Sequence, residues 1–238
     1  MDHRPLSGRS VLVTGIGREG QVGEAVAAAL ADAGAAIAAV DLLSEASEAR
    51  VAALRARGAL ADAFACDLTN EDAVQALAET IASSYGNRLD AVVHLAGGFG
   101  MSSVADSAPA VWQKQLALNP MTAALTPRAF LPLVRPAHGA LVFFGSAAAL
   151  PGASVGNMAA YVTAKSGVLT LMRAIAEEER ANGVRANALA PISIRTAANE
   201  KTMGSDARYV EREDVARMVA WLCSDASKPM TGQVIPLG

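Results

Sequence analysis

The chain has 238 residues, 52% hydrophobic and 18% charged, with 20 Lys+Arg against 23 Asp+Glu for a net charge of −3. A disordered chain would be poorer in apolar groups and richer in charge. The lack of a basic run, with only 5 Phe, 3 Tyr and 2 Trp, argues against a nucleic-acid surface. The richest apolar run, Ala33 to Leu43, is interrupted by Gly34 and Asp41, so no membrane span is expected. The start Met1-Asp2-His3-Arg4-Pro5 is polar and carries no secretory core. Cys66 and Cys223 form no motif, so free thiols, no metal site and a cytoplasmic location are the expectation.

Short apolar runs alternate with helix-period segments along the whole chain. Ser10–Thr14 reads as a strand. Val22, Ala25, Val26, Ala29, Leu30 and Ala33 then recur at helical spacing until Gly34. Ala36–Val40 is a second strand closed by Asp41, and a helix from about Ser44 to Arg57 stops at Gly58. Asp62–Cys66 is a third strand. Thr69 or Asn70 caps the next helix, which carries Val74, Leu77 and Ile81 on one face. Asp90–Leu95 is a fourth strand, followed by a long helix from about Pro109 to Val134. Gly139–Phe144 is a fifth, and Met158–Asn182 a second long helix. Val184–Leu189, a helix over Glu211–Ser224, and Gln233–Leu237 complete the pattern.

These strands are unbroken apolar runs, as strands covered on both faces are, and that implies a parallel sheet built from right-handed βαβ units. No linker or repeat divides the chain. The expected fold is α/β: residues 1–238 form a single doubly wound Rossmann-type domain, a seven-stranded parallel sheet with helices on both faces. Chemistry is then expected in the loops at the carboxyl ends of the strands.

The first such loop, Thr14-Gly15-Ile16-Gly17-Arg18-Glu19-Gly20-Gln21-Val22-Gly23, places four glycines between a strand and a helix. Glycine lets the backbone approach a pyrophosphate, and the helix N-terminus offers unpaired N–H groups to it. Asp41 ends the second strand, where a carboxylate accepts hydrogen bonds from both adenosine ribose hydroxyls and repels a 2′-phosphate. That favours NAD(H). Arg18 argues for NADP(H), but less directly. Asp67 reads equally well as an adenine contact and as a cap beside Thr69.

Tyr161 and Lys165 are spaced i, i+4 and share a helix face. A nearby ammonium favours phenolate, so the expectation is a tyrosine with a lowered pKa, usable as a general acid or base. Ser146 lies 15 residues earlier, after the fifth strand, and the intervening loop has room to return it to the phenol. Asn119 precedes Pro120 inside the long helix, where the proline frees a carbonyl that could bind water.

Together these pieces resemble the short-chain dehydrogenases/reductases, from Val11 to Gly238. The family's TGxxxGxG motif is similar to Thr14-Gly15 through Gly23. Its NNAG segment is similar to His94-Leu95-Ala96-Gly97, and its NAxxPGxIxT segment to Asn187 through Thr196. Its catalytic asparagine, serine, tyrosine and lysine fall on Asn119, Ser146, Tyr161 and Lys165. The chain departs from the pattern at four places. The Gly15–Gly23 span is two residues longer, so Gly17 and Gly20 both stand as the middle glycine. His94 replaces an asparagine and reads as a buried histidine bonded to backbone. Ile192 replaces a glycine, and the segment from Ala197 to Arg208 is short for a substrate lid.

The resemblance implies hydride transfer between nicotinamide and a ketone or secondary alcohol. Tyr161 would exchange the proton, Ser146 would bind the substrate oxygen, and Lys165 would hold the phenol's pKa down and the ribose in place. The Asn119 carbonyl would hold a water linking Lys165 to solvent. Cofactor contacts are implied at Gly15, Gly17, Gly20, Val22, Gly23, Asp41, Asp67, Leu68, Ala96, Gly97, Tyr161, Lys165, Pro191, Ile194 and Thr196. Little charge other than Arg195 and Lys201 lies in the expected pocket segments, which suits a neutral substrate. A homo-tetramer or homo-dimer is implied. Apolar residues beyond one face of the long helices, among them Leu116, Leu125, Phe130, Val168, Leu171 and Met172, supply the contact. The alternative is a non-catalytic dinucleotide-binding regulatory or scaffold protein of the same fold, which would need neither Tyr161 nor Ser146.

Overall fold

The computed structural model describes residues 4–17 and 19–238; Arg18 and the start Met1-Asp2-His3 lie outside the described residues. In chain order the elements are β1 (Ser10–Thr14), α1 (Val22–Asp32), β2 (Ala36–Asp41), α2 (Ser44–Ala56), β3 (Ala61–Ala65), α3 (Glu71–Ser84) and β4 (Ala91–His94). There follow α4 (Pro109–Leu116), α5 (Thr122–Val134), β5 (Ala140–Phe144), α6 (Ala159–Glu178) and β6 (Arg185–Pro191). The chain closes with β7 (Ile194–Arg195), α7 (Ala197–Met203), β8 (Val210–Glu211), α8 (Arg212–Cys223) and β9 (Val234–Leu237).

Seven strands form one sheet in the order β3-β2-β1-β4-β5-β6-β9, and every pairing is parallel. The order reverses between β1 and β4, so the crevice that such sheets use for ligands opens above Thr14 and His94. Alternate side chains along each strand feed opposite cores, because successive Cβ atoms point to opposite faces. Val11, Val13, Ile37, Ala39, Val93 and Val142 pack with α1, α2 and α8. Leu12, Ala38, Val40, Val92, Leu141 and Phe143 pack with α3, α5 and α6. Both faces of the sheet are therefore dry, which explains the uninterrupted apolar strands.

The long helix expected over Pro109–Val134 is not continuous. A π-helical turn over Ala117–Met121 separates α4 from α5. Pro120 has no N–H to continue the i→i−4 ladder, and the Thr122 N–H reaches back to the Ala117 carbonyl instead. The apolar residues assigned to a subunit contact also divide. Phe130, Val168 and Met172 belong to the protein's own core, Leu125 and Leu171 are half-buried against it, and Leu116 is exposed. Spacing along a helix does not distinguish a face turned to the sheet from one turned outward. In the segment from Ala197 to Arg208, expected as a short lid, α7 forms, and the β7–β8 pairing joins the chain on either side of it. Among the described residues, no helix is long and apolar enough to cross a membrane.

Candidate active site

Gly15 and Gly23 are the tight points of the loop after β1. Gly15 is left-handed, and a Cβ there would stand 2.7 Å from the Ala96 backbone nitrogen; a Cβ on Gly23 would stand 2.2 Å from the Ile16 carbonyl. Gln21 is the N-cap of α1, and among the described residues no side-chain cap bond is made there, so the first N–H groups of the helix are left without a cap. Gly17 and Gly20 are both left-handed but differently tied. The Gly17 N–H donates to Asp41 at 2.8 Å, and the Gly20 N–H to Glu24 at 2.7 Å. Glu24 is itself held by Arg50 of α2 and, at 3.4 Å, by Arg212 of α8. A close-approach glycine loop, an uncapped helix start and a strand-end carboxylate are the donor set and shape that a dinucleotide pyrophosphate and ribose require.

Asp67 accepts from the Thr69 N–H at 2.9 Å and the Thr69 hydroxyl at 2.7 Å, while Asn70 caps α3 by accepting from the Ala73 N–H. The Thr69 bonds pull the Asp67 carboxyl below its ordinary range. Leu68 is buried against the α3 core. On the other side of the crevice Pro191 ends β6, Ile194 pairs with Val210, and Thr196 caps α7 by accepting from the Asn199 N–H at 3.2 Å. Ile192 turns toward the chain end, where it crowds Gly238.

Tyr161 and Lys165 occupy one face of α6, and Ser146, beyond the end of β5, lies close enough to the Tyr161 hydroxyl to favour its phenolate. The Phe99 ring meets the Tyr161 ring edge-on, with centroids 4.9 Å apart. The Ser102 N–H donates to the Asn157 carbonyl at 2.8 Å, tying together the two loops that flank the phenol. Lys165 is buried, and its ammonium donates to the Phe144 carbonyl at 2.9 Å. Burial draws its pKa down to about 8. The Tyr161 pKa is raised, not lowered as expected: burial pushes it up and Ser146 offsets only part of this. The Lys165 ammonium is committed to the Phe144 carbonyl, and the desolvation of the phenolate dominates.

Asn119 is buried in the π-turn. Its amide nitrogen donates to the Gln115 carbonyl at 3.0 Å, Gln115 Oε1 at 3.1 Å and the Gly98 carbonyl at 3.1 Å, and its Oδ1 accepts from the Gly98 N–H at 3.3 Å. Its backbone carbonyl accepts from the Thr122 hydroxyl at 3.1 Å. A Cβ on Gly97 would stand 2.8 Å from Asn119 Oδ1 and 3.3 Å from the Lys165 ammonium, so the two groups converge on that bare backbone. His94 is buried as expected, but its ring bonds the hydroxyls of Thr14 and Thr122 and not the backbone. Gln115, Thr122 and the Glu24–Arg50–Arg212 brace lie outside the motifs of the sequence. Glu24 in the first turn of a helix behind a glycine loop is the local signal for the brace; the rest have none.

The site thus gathers a phenol, a hydroxyl and an ammonium beside a glycine-rich loop. Residues 15–237 match the family model described as Enoyl-(Acyl carrier protein) reductase. The chain belongs to the short-chain dehydrogenase/reductase family. It is 32% identical over 244 residues to 2-(S)-hydroxypropyl-CoM dehydrogenase 3 of Xanthobacter autotrophicus, covering 95% of this chain and 94% of that one. It is 31% identical over 239 residues to D-threitol dehydrogenase of Mycolicibacterium smegmatis, covering 95% and 90%. A short-chain type dehydrogenase/reductase from Mycobacterium ulcerans superposes with a TM-score of 0.89 at 31% identity, over 98% of this chain and 89% of that one. Dehydrogenases of this family use NAD(P)(H).

Proposed function

We propose that the chain is an NAD(H)-preferring oxidoreductase that interconverts a secondary alcohol and a ketone, with Tyr161 as the acid/base. The observation that carries this reading is the Tyr161–Ser146 hydroxyl pair at the mouth of the crevice, with Lys165 one helical turn away. When bound, the nicotinamide supplies or accepts the hydride. The glycine loop, Val22 and Gly23 at the start of α1, and Ala96 and Gly97 after β4 would hold its dinucleotide. Pro191, Ile194 and Thr196 would flank its nicotinamide end. Asp41 accepts from the Gly17 N–H at one oxygen and, at 3.4 Å, from the Leu43 N–H at the other; the remaining lone pairs would serve ribose hydroxyls, and its charge opposes a 2′-phosphate.

Tyr161 holds its proton at neutral pH, because burial raises its pKa, and so it is set to donate to a carbonyl oxygen. Ser146 donates to the same oxygen as charge develops there. The Lys165 cation stabilises the phenolate left behind, and Asn119 sets the position of Lys165 from across Gly97. Arg195, expected as a pocket charge, is engaged by Glu211 at 2.8 Å and Glu200 at 2.7 Å and lies over the Tyr209 ring. It is thus withdrawn from substrate recognition, and exposed Phe99, Met101, Val155 and Met203 in the flanking segments suit a neutral, partly apolar substrate. A single catalytic domain acting as a homo-dimer or homo-tetramer in the cytoplasm completes the proposal. NADH and NADPH titrations by nucleotide fluorescence, followed by a panel of secondary alcohols and ketones that includes D-threitol, test it. Failure to bind either nucleotide would overturn it.

A further inference from the structure

His94 stands at the end of β4 where the family motif has an asparagine, and it is 3% exposed. Its Nδ1 lies 3.1 Å from the Thr14 hydroxyl and its Nε2 3.2 Å from the Thr122 hydroxyl. The Thr122 oxygen in turn lies 2.8 Å from the Leu118 carbonyl and 3.1 Å from the Asn119 carbonyl. Carbonyls only accept, and a threonine hydroxyl has one proton. Two carbonyls against one imidazole nitrogen favour a Thr122 proton that points into the π-turn, with its oxygen left to accept from His94. That assigns the proton of the neutral imidazole to Nε2, and leaves Nδ1 to accept the Thr14 proton. The three side chains form a one-way row of donors from β1, through β4, into the turn that carries Asn119.

We propose that His94 is a positioning residue for the acid/base site: through Thr122 it fixes the π-turn, and with it the Asn119 amide that faces Lys165 across Gly97. The proposal rests on reading Tyr161 and Lys165 as the acid/base pair. The π-turn needs an external tie because Pro120 breaks its amide ladder. The anchor at the other end is Thr14, whose carbonyl also accepts the Leu95 N–H at 3.1 Å, so the row spans both walls of the crevice. The row works only with neutral imidazole, since a protonated ring would donate from Nδ1 and reverse the Thr14 bond. Burial and the nearby Lys165 cation both oppose that protonation. A displaced Asn119 amide alters the surroundings of Lys165 while leaving the glycine loop and Asp41 untouched, so turnover falls by more than cofactor affinity.

Two measurements test the proposal. In imidazole-nitrogen NMR of histidine-labelled protein, which requires no substrate, His94 is expected as a single Nε2–H tautomer that stays neutral through mildly acidic pH. A dominant Nδ1–H form would overturn the donor row. In the second, His94→Leu and Thr122→Val are compared with wild type on the panel member with the highest rate. Both variants are expected to lose on the order of 10- to 100-fold in kcat with a much smaller loss of NADH affinity, and the double variant to lose no more than the worse single one. His94→Gln, which retains one donor and one acceptor, is expected to recover most of the loss. If His94→Leu does not fold, Thr122→Val, which removes one hydroxyl, still decides. Unchanged kcat in Thr122→Val, alongside a Tyr161→Phe enzyme that has lost turnover, would sink the positioning role and leave the proposed function standing. A Tyr161→Phe enzyme with full turnover would sink the proposed function itself.

Discussion

Gly97→Ala adds one methyl group at the point where the Asn119 amide and the Lys165 ammonium meet. The new carbon would stand 2.8 Å from Asn119 Oδ1, against 3.4 Å where ordinary contact begins, a shortfall of about 0.6 Å. Gly97 is not in the left-handed region, so the backbone accepts alanine and the effect is steric alone. The amide cannot swing aside freely, because it is bonded to Gln115 and to both backbone groups of Gly98. Overpacking of this kind costs roughly 1–3 kcal/mol of stability. With a misplacement of 1 Å costing about 10²-fold in rate, a displacement of this size should lower kcat roughly 10- to 20-fold. The glycine loop is untouched, but Gly97 is itself a proposed dinucleotide contact, so NADH binding by fluorescence should weaken too, by less than kcat falls. Gly156→Ala, whose added carbon meets nothing within 4 Å, serves as the control. Wild-type kcat and wild-type melting temperature in Gly97→Ala would refute the convergence of Asn119 and Lys165 on this position.

Tyr161→Phe removes only a hydroxyl, so folding and NADH binding should survive while turnover falls by at least about 10²-fold, read in a steady-state assay. The reductive rate should hold below the Lys165 pKa of about 8 and decline as pH rises through it, because the cation that stabilises the phenolate is lost; a flat profile to high pH would contradict this. Asp41→Ala should narrow the preference for NADH over NADPH, measured as the ratio of the two dissociation constants. Burial lowers the His94 pKa from 6.5 to about 3, so its neutral form is the one the fold tolerates. The unfolded chain takes up that proton first as pH falls below 6.5, so stability is full above that value and declines by about 1.4 kcal/mol per pH unit beneath it. Urea unfolding at about pH 7 and about pH 5.5 should show this slope in wild type and a shallower one in His94→Gln, which cancels the contribution of groups common to both.

Much of this protein is written locally. Apolar runs such as Ala36–Val40 and Ala140–Phe144 declare strands because a doubly covered strand has no wet face, and the recurring spacing behind β1 declares α1. The glycine loop, Asp41, Ser146, Tyr161 and Lys165 all lie at strand ends or on helices whose order in the chain already implies a common crevice. Pro120 marked a disturbance in the long helix, but not that the turn would widen and bury Asn119. What only the tertiary structure decided are the partners that close in space. His94 takes its bonds from Thr14 and Thr122, 80 and 28 residues away in sequence. Arg195 is neutralised by Glu200 and Glu211 only once β7 pairs with β8. Phe130, Val168 and Met172 turn to the sheet and not to a second subunit. The Tyr161 pKa rises because burial is a property of everything packed around the phenol. Periodicity and motif spacing are one-dimensional and carry local backbone preference, whereas desolvation and charge pairing depend on which distant residues arrive at the same place.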